Sequence, residues 1–202
     1  MSIGRYICVA SFLVMALSAG ASAQSSEPPP TPPPVLNDEQ LLSKYVWSTL
    51  GADGIVHATL VSGYDQWRAN PEDWGSRWDG YAKRWASEFA ASAIGSTTKY
   101  AVAHWEHQDP SFVRCSCTGF GPRLQHALAS PFIARRRNGR SAFSLATVAG
   151  LTAENVIPAA TWYPAPRGTR DGLAHAAAGI GAKMAFDVFK EFVIPPRKKS
   201  GR

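Results

Sequence analysis

Cysteine is scarce in this chain, which excludes one common way of holding an exported domain together. The sequence has three cysteines, and Cys8 lies in an amino-terminal segment that we predict is removed. Only Cys115 and Cys117 then remain, whereas small secreted scaffolds use several cysteine pairs. We therefore expect packing of the core to hold the fold, with these two cysteines bonded to each other, free or bound to a metal.

Long apolar runs are missing as well. The apolar stretch Ile7–Leu17 is about half as long as the roughly 20 residues that a membrane-spanning helix needs. Arg5 precedes it and the small residues Ala21 and Ala23 follow it, an order typical of a cleavable export signal over residues 1–23. No later segment supplies about 18 uncharged apolar residues. We predict export to the periplasm or cell envelope, with no integral membrane span after cleavage.

The common catalytic motifs give no positive signal. There is no Gly-x-Ser-x-Gly elbow and no phosphate-binding glycine loop, and we expect no serine–lysine nucleophile. Serine, histidine and aspartate occur in any chain of this length, so their presence alone indicates nothing. The sequence therefore favours a protein that is not an enzyme and that carries no cofactor.

The charge balance is basic. Lysine and arginine exceed aspartate and glutamate by six over the whole chain, and loss of Arg5 with the signal lowers the net charge to +5. Such an excess suits anionic lipid head groups, acidic polymers or nucleic acid. Export makes nucleic acid the least suitable of these partners. We expect an anionic lipid surface or another envelope protein, and the sequence leaves the oligomeric state open.

Composition divides the chain into four segments. After the signal, six prolines in residues 24–38 favour an extended, disordered linker. Residues 39–195 have the composition and periodicity of a helical domain, and residues 196–202 form a basic tail that we expect to be disordered. The predicted fold class is mainly α, a compact bundle of about five to six helices with one short β-hairpin.

Helix boundaries follow from caps, prolines and apolar periodicity. The predicted helices run from Asn37 or Asp38 through Trp47, and over Gly54–Arg68, Trp74–His104, Leu124–Ala129, Leu145–Ile157 and Asp171–Val193. In the third, opposite charges four residues apart predict the surface pairs Asp73–Arg77, Asp79–Lys83 and Arg84–Glu88. In the last, Asp171 is the expected cap and Pro158 is expected to end the helix before it.

Three apolar or small-residue faces are predicted on these helices. The tryptophan stripe of the third helix is expected to pack in the core, with a sugar- or lipid-binding groove as the alternative. Its members are Trp74, Trp78, Tyr81, Trp85 and Phe89. The second helix gathers Ile55, Thr59, Leu60, Gly63, Tyr64 and Trp67 on one face. The last helix repeats Ala174, Ala177, Ala178, Gly181 and Ala182, a pattern typical of closely packed helices.

A hairpin with a basic tip is the strongest candidate for a contact surface. Asn138-Gly139 separates 132–137 from 140–145, and this dipeptide favours a tight turn between two strands. Four arginines crowd the turn: Arg135, Arg136, Arg137 and Arg140. Their mutual repulsion requires that they face water or anions. The turn therefore either contacts an anionic surface such as lipid phosphate or only keeps the protein in solution.

A second cluster supports an alternative function. His104, His107, Asp109, Cys115 and Cys117 lie within fourteen residues, and their side chains are of the types that bind zinc or copper. The spacing of the histidines does not match that of zinc peptidases, and the cysteines lack the two-residue gap of zinc knuckles. The alternative is a periplasmic metal-binding or redox protein that uses this cluster.

Several short motifs, taken in order, resemble a family of uncharacterised exported bacterial proteins. They are Gly80-Tyr81-Ala82-Lys83-Arg84, His107-Gln108-Asp109-Pro110, the Arg135–Phe143 hairpin, Thr161-Trp162-Tyr163-Pro164 and Phe189-Lys190-Glu191-Phe192. The resemblance implies a secreted, mostly helical domain without assigned chemistry, so it supplies no catalytic residues. It also places the two cysteines outside the family pattern. The sequence as a whole predicts a structural or interaction module of the cell envelope.

Overall fold

A computed structural model of the chain describes residues 34–164 and 168–194, and these residues are mainly helical with a small antiparallel sheet. The predicted signal, most of the predicted linker and the predicted tail lie outside the described residues. The α-helices are α1 (Asp38–Leu50), α2 (Ala52–Trp67), α3 (Trp78–Trp105), α4 (Phe120–Ala129), α5 (Leu145–Thr161) and α6 (Thr169–Phe192). The strands are β1 (Gln108–Asp109), β2 (Ile133–Arg136) and β3 (Ser141–Phe143).

Helix α1 begins where its cap predicts. The side chain of Asn37 accepts a hydrogen bond of 2.8 Å from the backbone N–H of Gln40, and the side chain of Gln40 accepts one of 3.1 Å from the N–H of Asn37. This reciprocal pair satisfies two of the amide groups that a helix start leaves without partners. Of the two predicted caps, Asn37 is the one that the structure uses.

Helix α3 starts one turn later than its tryptophan spacing predicts. Trp74 belongs to a short 3₁₀ turn over Glu72–Trp74, and Gly75 follows it with φ +71°. A left-handed backbone there interrupts the helix, and glycine adopts it without a steric cost. Trp74 instead stacks on Tyr163, with ring centroids 5.3 Å apart. The tryptophan stripe is therefore not one continuous helical face.

Pro158 lies inside α5, so the predicted end of this helix is wrong. The proline lacks an N–H, but its carbonyl still accepts hydrogen bonds from the N–H groups of Trp162 and Tyr163, each 3.1 Å long. One missing intrahelical bond so close to the end does not stop the helix. Helix α6 starts at Thr169 with Gly168 at the cap position, so Asp171 lies in its first turn instead of capping it.

Glycine contacts bring the central helices close together. α3 packs mainly against α5, and α5 packs against α6. A Cβ atom on Gly95 would lie 2.6 Å from the Cβ of Glu154, and one on Gly150 would lie 2.8 Å from the Cβ of Lys99. A Cβ on Gly172 would lie 2.7 Å from the Cα of Val156. These three positions have no room for a side chain.

The buried apolar side chains of the described residues are small. Apart from four prolines, at positions 71, 110, 131 and 158, they are the alanines at positions 58, 91, 103, 127, 134, 146, 159 and 176. On α6, Gly172 and Ala176 face the interior, whereas the predicted small-residue face is exposed at Ala174, Ala177, Ala178, Gly181 and Ala182. That prediction is wrong because both faces of the helix carry small residues and spacing alone does not distinguish them.

The predicted hairpin is present, and a third strand extends it to a three-stranded sheet. β2 pairs antiparallel with β3, Ile133 opposite Phe143, and Gly139 in the turn has φ +78°. β1 pairs antiparallel with β2 on its other edge, with Gln108 opposite Arg136 and Asp109 opposite Arg135. The motif His107-Gln108-Asp109-Pro110 therefore anchors the hairpin to the end of α3. None of the described helices has the length and apolarity required to cross a membrane.

Candidate functional site

The four arginines at the hairpin divide into one anchored and three outer side chains. Arg135 is partly buried and forms an ion pair of 3.0 Å with Asp109. Arg136 lies 3.8 Å from Glu106, Arg137 pairs with Asp38, and Arg140 is exposed beyond the turn. Ion pairs between exposed groups contribute little and break readily. Arg136 and Arg137 can therefore exchange their partners for other anions, and Arg140 can bind an anion beside them.

Asp109 contacts three separate segments of the chain in this region. Its side chain is buried, and besides the ion pair with Arg135 it accepts hydrogen bonds from the N–H of Ser111 (3.0 Å) and the N–H of Leu36 (3.3 Å). Bonds to a charged acceptor of this kind are stronger than those between neutral groups. Asp109 thus ties the start of the domain, the segment after α3 and the hairpin together.

The predicted metal ligands are drawn into other contacts. Cys115 and Cys117 form a disulfide, His104 pairs with Asp38 at 3.2 Å, and Asp109 is held by Arg135. His107 is exposed with a left-handed backbone, φ +51°. Within residues 34–164 and 168–194 no three histidine, cysteine or carboxylate side chains are placed to hold a metal ion. The metal-binding alternative stays a prediction without a preformed site in this part of the chain.

Two acidic residues of α6 are buried instead of solvated. Glu191 accepts a bond of 2.8 Å from Nε of Arg123 and one of 3.2 Å from the N–H of Cys115. Asp187 accepts a bond of 2.5 Å from Nζ of Lys183 and a short one from the hydroxyl of Ser130. Buried charges need such partners, because desolvation without them costs several kcal/mol. Part of the charged surface of α6 therefore points inward.

Arg84 is another charge that the sequence predicts on the surface and the structure buries. Its side chain is 2% exposed and donates hydrogen bonds to four neutral oxygens. They are the carbonyls of Asn70 (2.9 Å), Pro71 (2.6 Å) and Gly75 (2.7 Å) and Oε1 of Gln66 (2.6 Å). Among the side chains of the described residues, none of the three opposite-charge pairs predicted along this region comes within ion-pair distance.

Ionisable groups are also partly buried between α3 and the helices that pack against it. Burial raises the pKa of Glu88 to about 7, with Asp65 adding to the rise. Burial raises the pKa of Glu154 to about 7, Glu88 raises it further and Lys99 opposes the rise. Burial lowers the pKa of Lys99 to about 8, and the charges of Lys183 and Lys44 act in the same direction. These groups change protonation state near neutral pH.

Lys99 lines a cavity of about 240 Å³ between α1 and α3. Ser96, one turn earlier on α3, lines it too, so Ser96-Thr97-Thr98-Lys99 has the spacing Ser-x-x-Lys, and the expectation that no such serine–lysine pair exists is wrong. Ser96 lies inside α3, where backbone N–H groups bond to the preceding turn. It therefore has no free amides beside it to stabilise an oxyanion, and the geometry does not favour acyl transfer.

The outer surface carries an unusual amount of large apolar side chain. On α2 the buried residues Gly54, Ala58 and Ser62 recur every four positions. The opposite face carries Val56, Leu60, Tyr64 and Trp67, which are all exposed, Leu60 to 68% and Trp67 to 78%. On α1, Leu42, Val46 and Leu50 are exposed at the same four-residue spacing. Apolar faces that point away from the core are typical of surfaces that contact a membrane or another molecule.

Comparison with known proteins adds no relative to this picture. No protein-family model matches the chain, and no curated protein or solved structure matches it.

The residues that sequence reasoning missed are the interior charges and the lysines of the cavity. Lysine side chains usually lie in water, and no local pattern around Lys44 or Lys99 indicates otherwise. The Ser-x-x-Lys spacing is the one signal that points to Lys99. For Arg84 and Glu191 the short motifs that contain them are the only indication, and a motif alone does not tell an inner from an outer face.

Proposed function

We propose that this protein is an exported cell-envelope module without catalytic activity, which docks on an anionic membrane surface. The outward apolar face of α2 carries the proposal. A helix of a water-soluble domain buries its large apolar residues and exposes its small and polar ones. Helix α2 does the reverse, because it buries Gly54, Ala58 and Ser62 and exposes Leu60 and Trp67. A helix of this kind gains free energy when its outer face enters the interface of a bilayer.

Charge at the hairpin complements such a surface. Arg137 pairs with Asp38, the first residue of α1, so the basic turn adjoins the end of α1 from which Leu42, Val46 and Leu50 follow. Trp105, 83% exposed, ends α3 next to Glu106, the partner of Arg136. Arginine and tryptophan are the side chains that favour the head-group region of membranes. Each basic residue near an anionic leaflet contributes about 1 kcal/mol.

Vesicle binding tests the apolar contact. We expect the protein to co-sediment with vesicles that contain phosphatidylglycerol. We expect Leu60→Gln/Trp67→Gln to lower the partition coefficient by about tenfold or more, since each change removes a large exposed apolar side chain that the bilayer would bury. Leu173→Gln on α6, another exposed leucine, is the matched control and should change binding little. Equal binding by wild type and the double variant would contradict the proposal.

The salt dependence of binding and the oligomeric state distinguish membrane docking from self-association. Arg136→Gln/Arg140→Gln should weaken binding to anionic vesicles and remove most of its salt dependence, whereas Lys83→Gln/Arg170→Gln, which removes two exposed basic residues outside α1, α2 and the hairpin, should not. Sedimentation velocity without lipid reports whether a second copy covers α2 instead. A stable dimer that Leu60→Gln/Trp67→Gln dissociates, together with no lipid binding, would assign this face to self-association.

Export is tested separately. Expression of the whole chain in a Gram-negative host should give a periplasmic protein that begins at Gln24, as read by intact mass and amino-terminal sequencing. Ala21→Asp/Ala23→Asp, which removes both small residues before the cleavage site, should leave the precursor uncleaved. A cytosolic protein that still begins with Met1 would contradict the assignment to the envelope.

A further inference from the structure

We propose that the cavity between α1 and α3 binds a small organic carboxylate with an apolar body, held by Lys44 and Lys99. The cavity is distinct from the outer face of α2 and does not depend on membrane docking. Its charged lining comes from these two lysines, and Ser48, Ser96 and Ser111 line it as well. The other wall is apolar, with Leu41, Ala103 and Pro110 beside two tyrosines.

The two lysines lack a matched counter-ion at the cavity. Lys44 donates a hydrogen bond of 2.5 Å to the neutral hydroxyl of Ser111, and within the described part of the chain Lys99 forms no hydrogen bond or ion pair. No carboxylate lines the cavity. Lys99 is partly buried, Lys44 is exposed at the mouth of the cavity, and the charge of Lys44 acts against that of Lys99. A bound carboxylate would relieve this repulsion.

The nearby acidic groups are occupied or partly neutral. Asp109 attracts Lys44 but is paired with Arg135, and Asp187 attracts Lys99 but is paired with Lys183. Glu154 also attracts Lys99, yet burial raises the pKa of Glu154 to about 7, so near neutral pH part of it carries no charge. The cavity therefore keeps an excess of positive charge when these pairs are taken into account.

Shape and wall chemistry select the kind of anion. Tyr45 and Tyr100 are stacked with ring centroids 5.1 Å apart, and the hydroxyl of Tyr45 is engaged with Thr97 at 2.8 Å, so the tyrosine wall is held in place. A cavity of about 240 Å³ is smaller than the roughly 300–1,000 Å³ of pockets for drug-sized ligands. Both features favour a compact carboxylate whose apolar part lies against the tyrosines.

Calorimetric titration of the purified protein with benzoate, acetate and inorganic phosphate tests this assignment. We expect saturable binding of one benzoate per chain, weaker binding of acetate, and a loss of benzoate affinity of about tenfold or more in Lys99→Met and in Lys44→Met, because each removes a charge-assisted contact. Lys83→Met, an exposed lysine of the same helix, should leave the affinity unchanged.

Each contrary outcome overturns a defined part of the inference. No saturable binding of any of the three anions, or unchanged benzoate affinity in both cavity variants, would remove the site. If phosphate or acetate binds at least as tightly as benzoate, the inference that the ligand is a carboxylate with an apolar body is wrong. Lys99→Met should fold, as checked by circular dichroism, since it removes a buried charge; if it does not, Lys44→Met alone decides, because Lys44 is exposed enough to be replaced safely.

Discussion

Replacement of Arg84 with methionine should lower the free energy of unfolding by about 3–4 kcal/mol, because four oxygens around this buried side chain would lose a charged donor. Methionine keeps much of the volume but donates no hydrogen bond. The carbonyls of Asn70, Pro71 and Gly75 all belong to the connection between α2 and α3, and Arg84 fastens them to α3. For a domain of this size the expected fall in Tm is roughly 10 °C.

Lysine at position 84 distinguishes charge from geometry. Its single ammonium group cannot reach the four acceptors that the planar guanidinium serves at once, so Arg84→Lys should recover less than half of the loss. Lys83→Met, next in the chain and exposed, is the control and should change stability by about 0.5 kcal/mol or less. Urea denaturation followed by circular dichroism measures all three variants. A loss below about 1 kcal/mol in Arg84→Met would show that the network contributes little.

Helix positions could be predicted from this sequence because local chemistry sets them. Asn37 caps α1, and Asn138-Gly139 forms the tight turn of the hairpin, as expected from the conformations these residues favour. The errors occur where local signals compete. Gly75 breaks the tryptophan repeat before α3, and Pro158 sits near enough to the end of α5 to be tolerated. The strand Gln108–Asp109 is too short for any periodicity to indicate it.

The buried faces could not be predicted, because the usual rule fails in this protein. Hydrophobic periodicity assigns the large apolar side to the core, and on α2 that choice places Leu60 and Trp67 inside when they are outside. On α6 the buried residues include Asp187 and Glu191, although acidic side chains usually lie in water. The candidate surface at Arg136 and Arg140 was predictable, since a turn must be exposed. The cavity was not, because Lys44 and Lys99 meet only in the folded chain.

Substitution of alanine for both Gly95 and Gly150 should lower the free energy of unfolding by about 3 kcal/mol and each single change by about 2 kcal/mol. Each glycine faces the backbone carbonyl of the other, since a Cβ on Gly150 would lie 2.9 Å from the carbonyl oxygen of Gly95 and one on Gly95 would lie 3.1 Å from that of Gly150. An added methyl group must push α3 and α5 apart. Once one substitution has separated the helices the second costs less, so the two effects should not add.

The sign of the change at other glycines is the decisive comparison. Alanine favours a helix over glycine by about 1 kcal/mol, so Gly95→Ala loses stability only if the steric conflict exceeds that gain. Gly63 and Gly181 also lie within helices, but a Cβ at either position would meet nothing within 4 Å. Gly63→Ala and Gly181→Ala should therefore raise stability by about 0.5–1 kcal/mol. Thermal denaturation of the four single variants should show opposite signs for the two pairs. A gain of stability in Gly95→Ala and Gly150→Ala would mean that close approach of α3 and α5 does not hold this fold together.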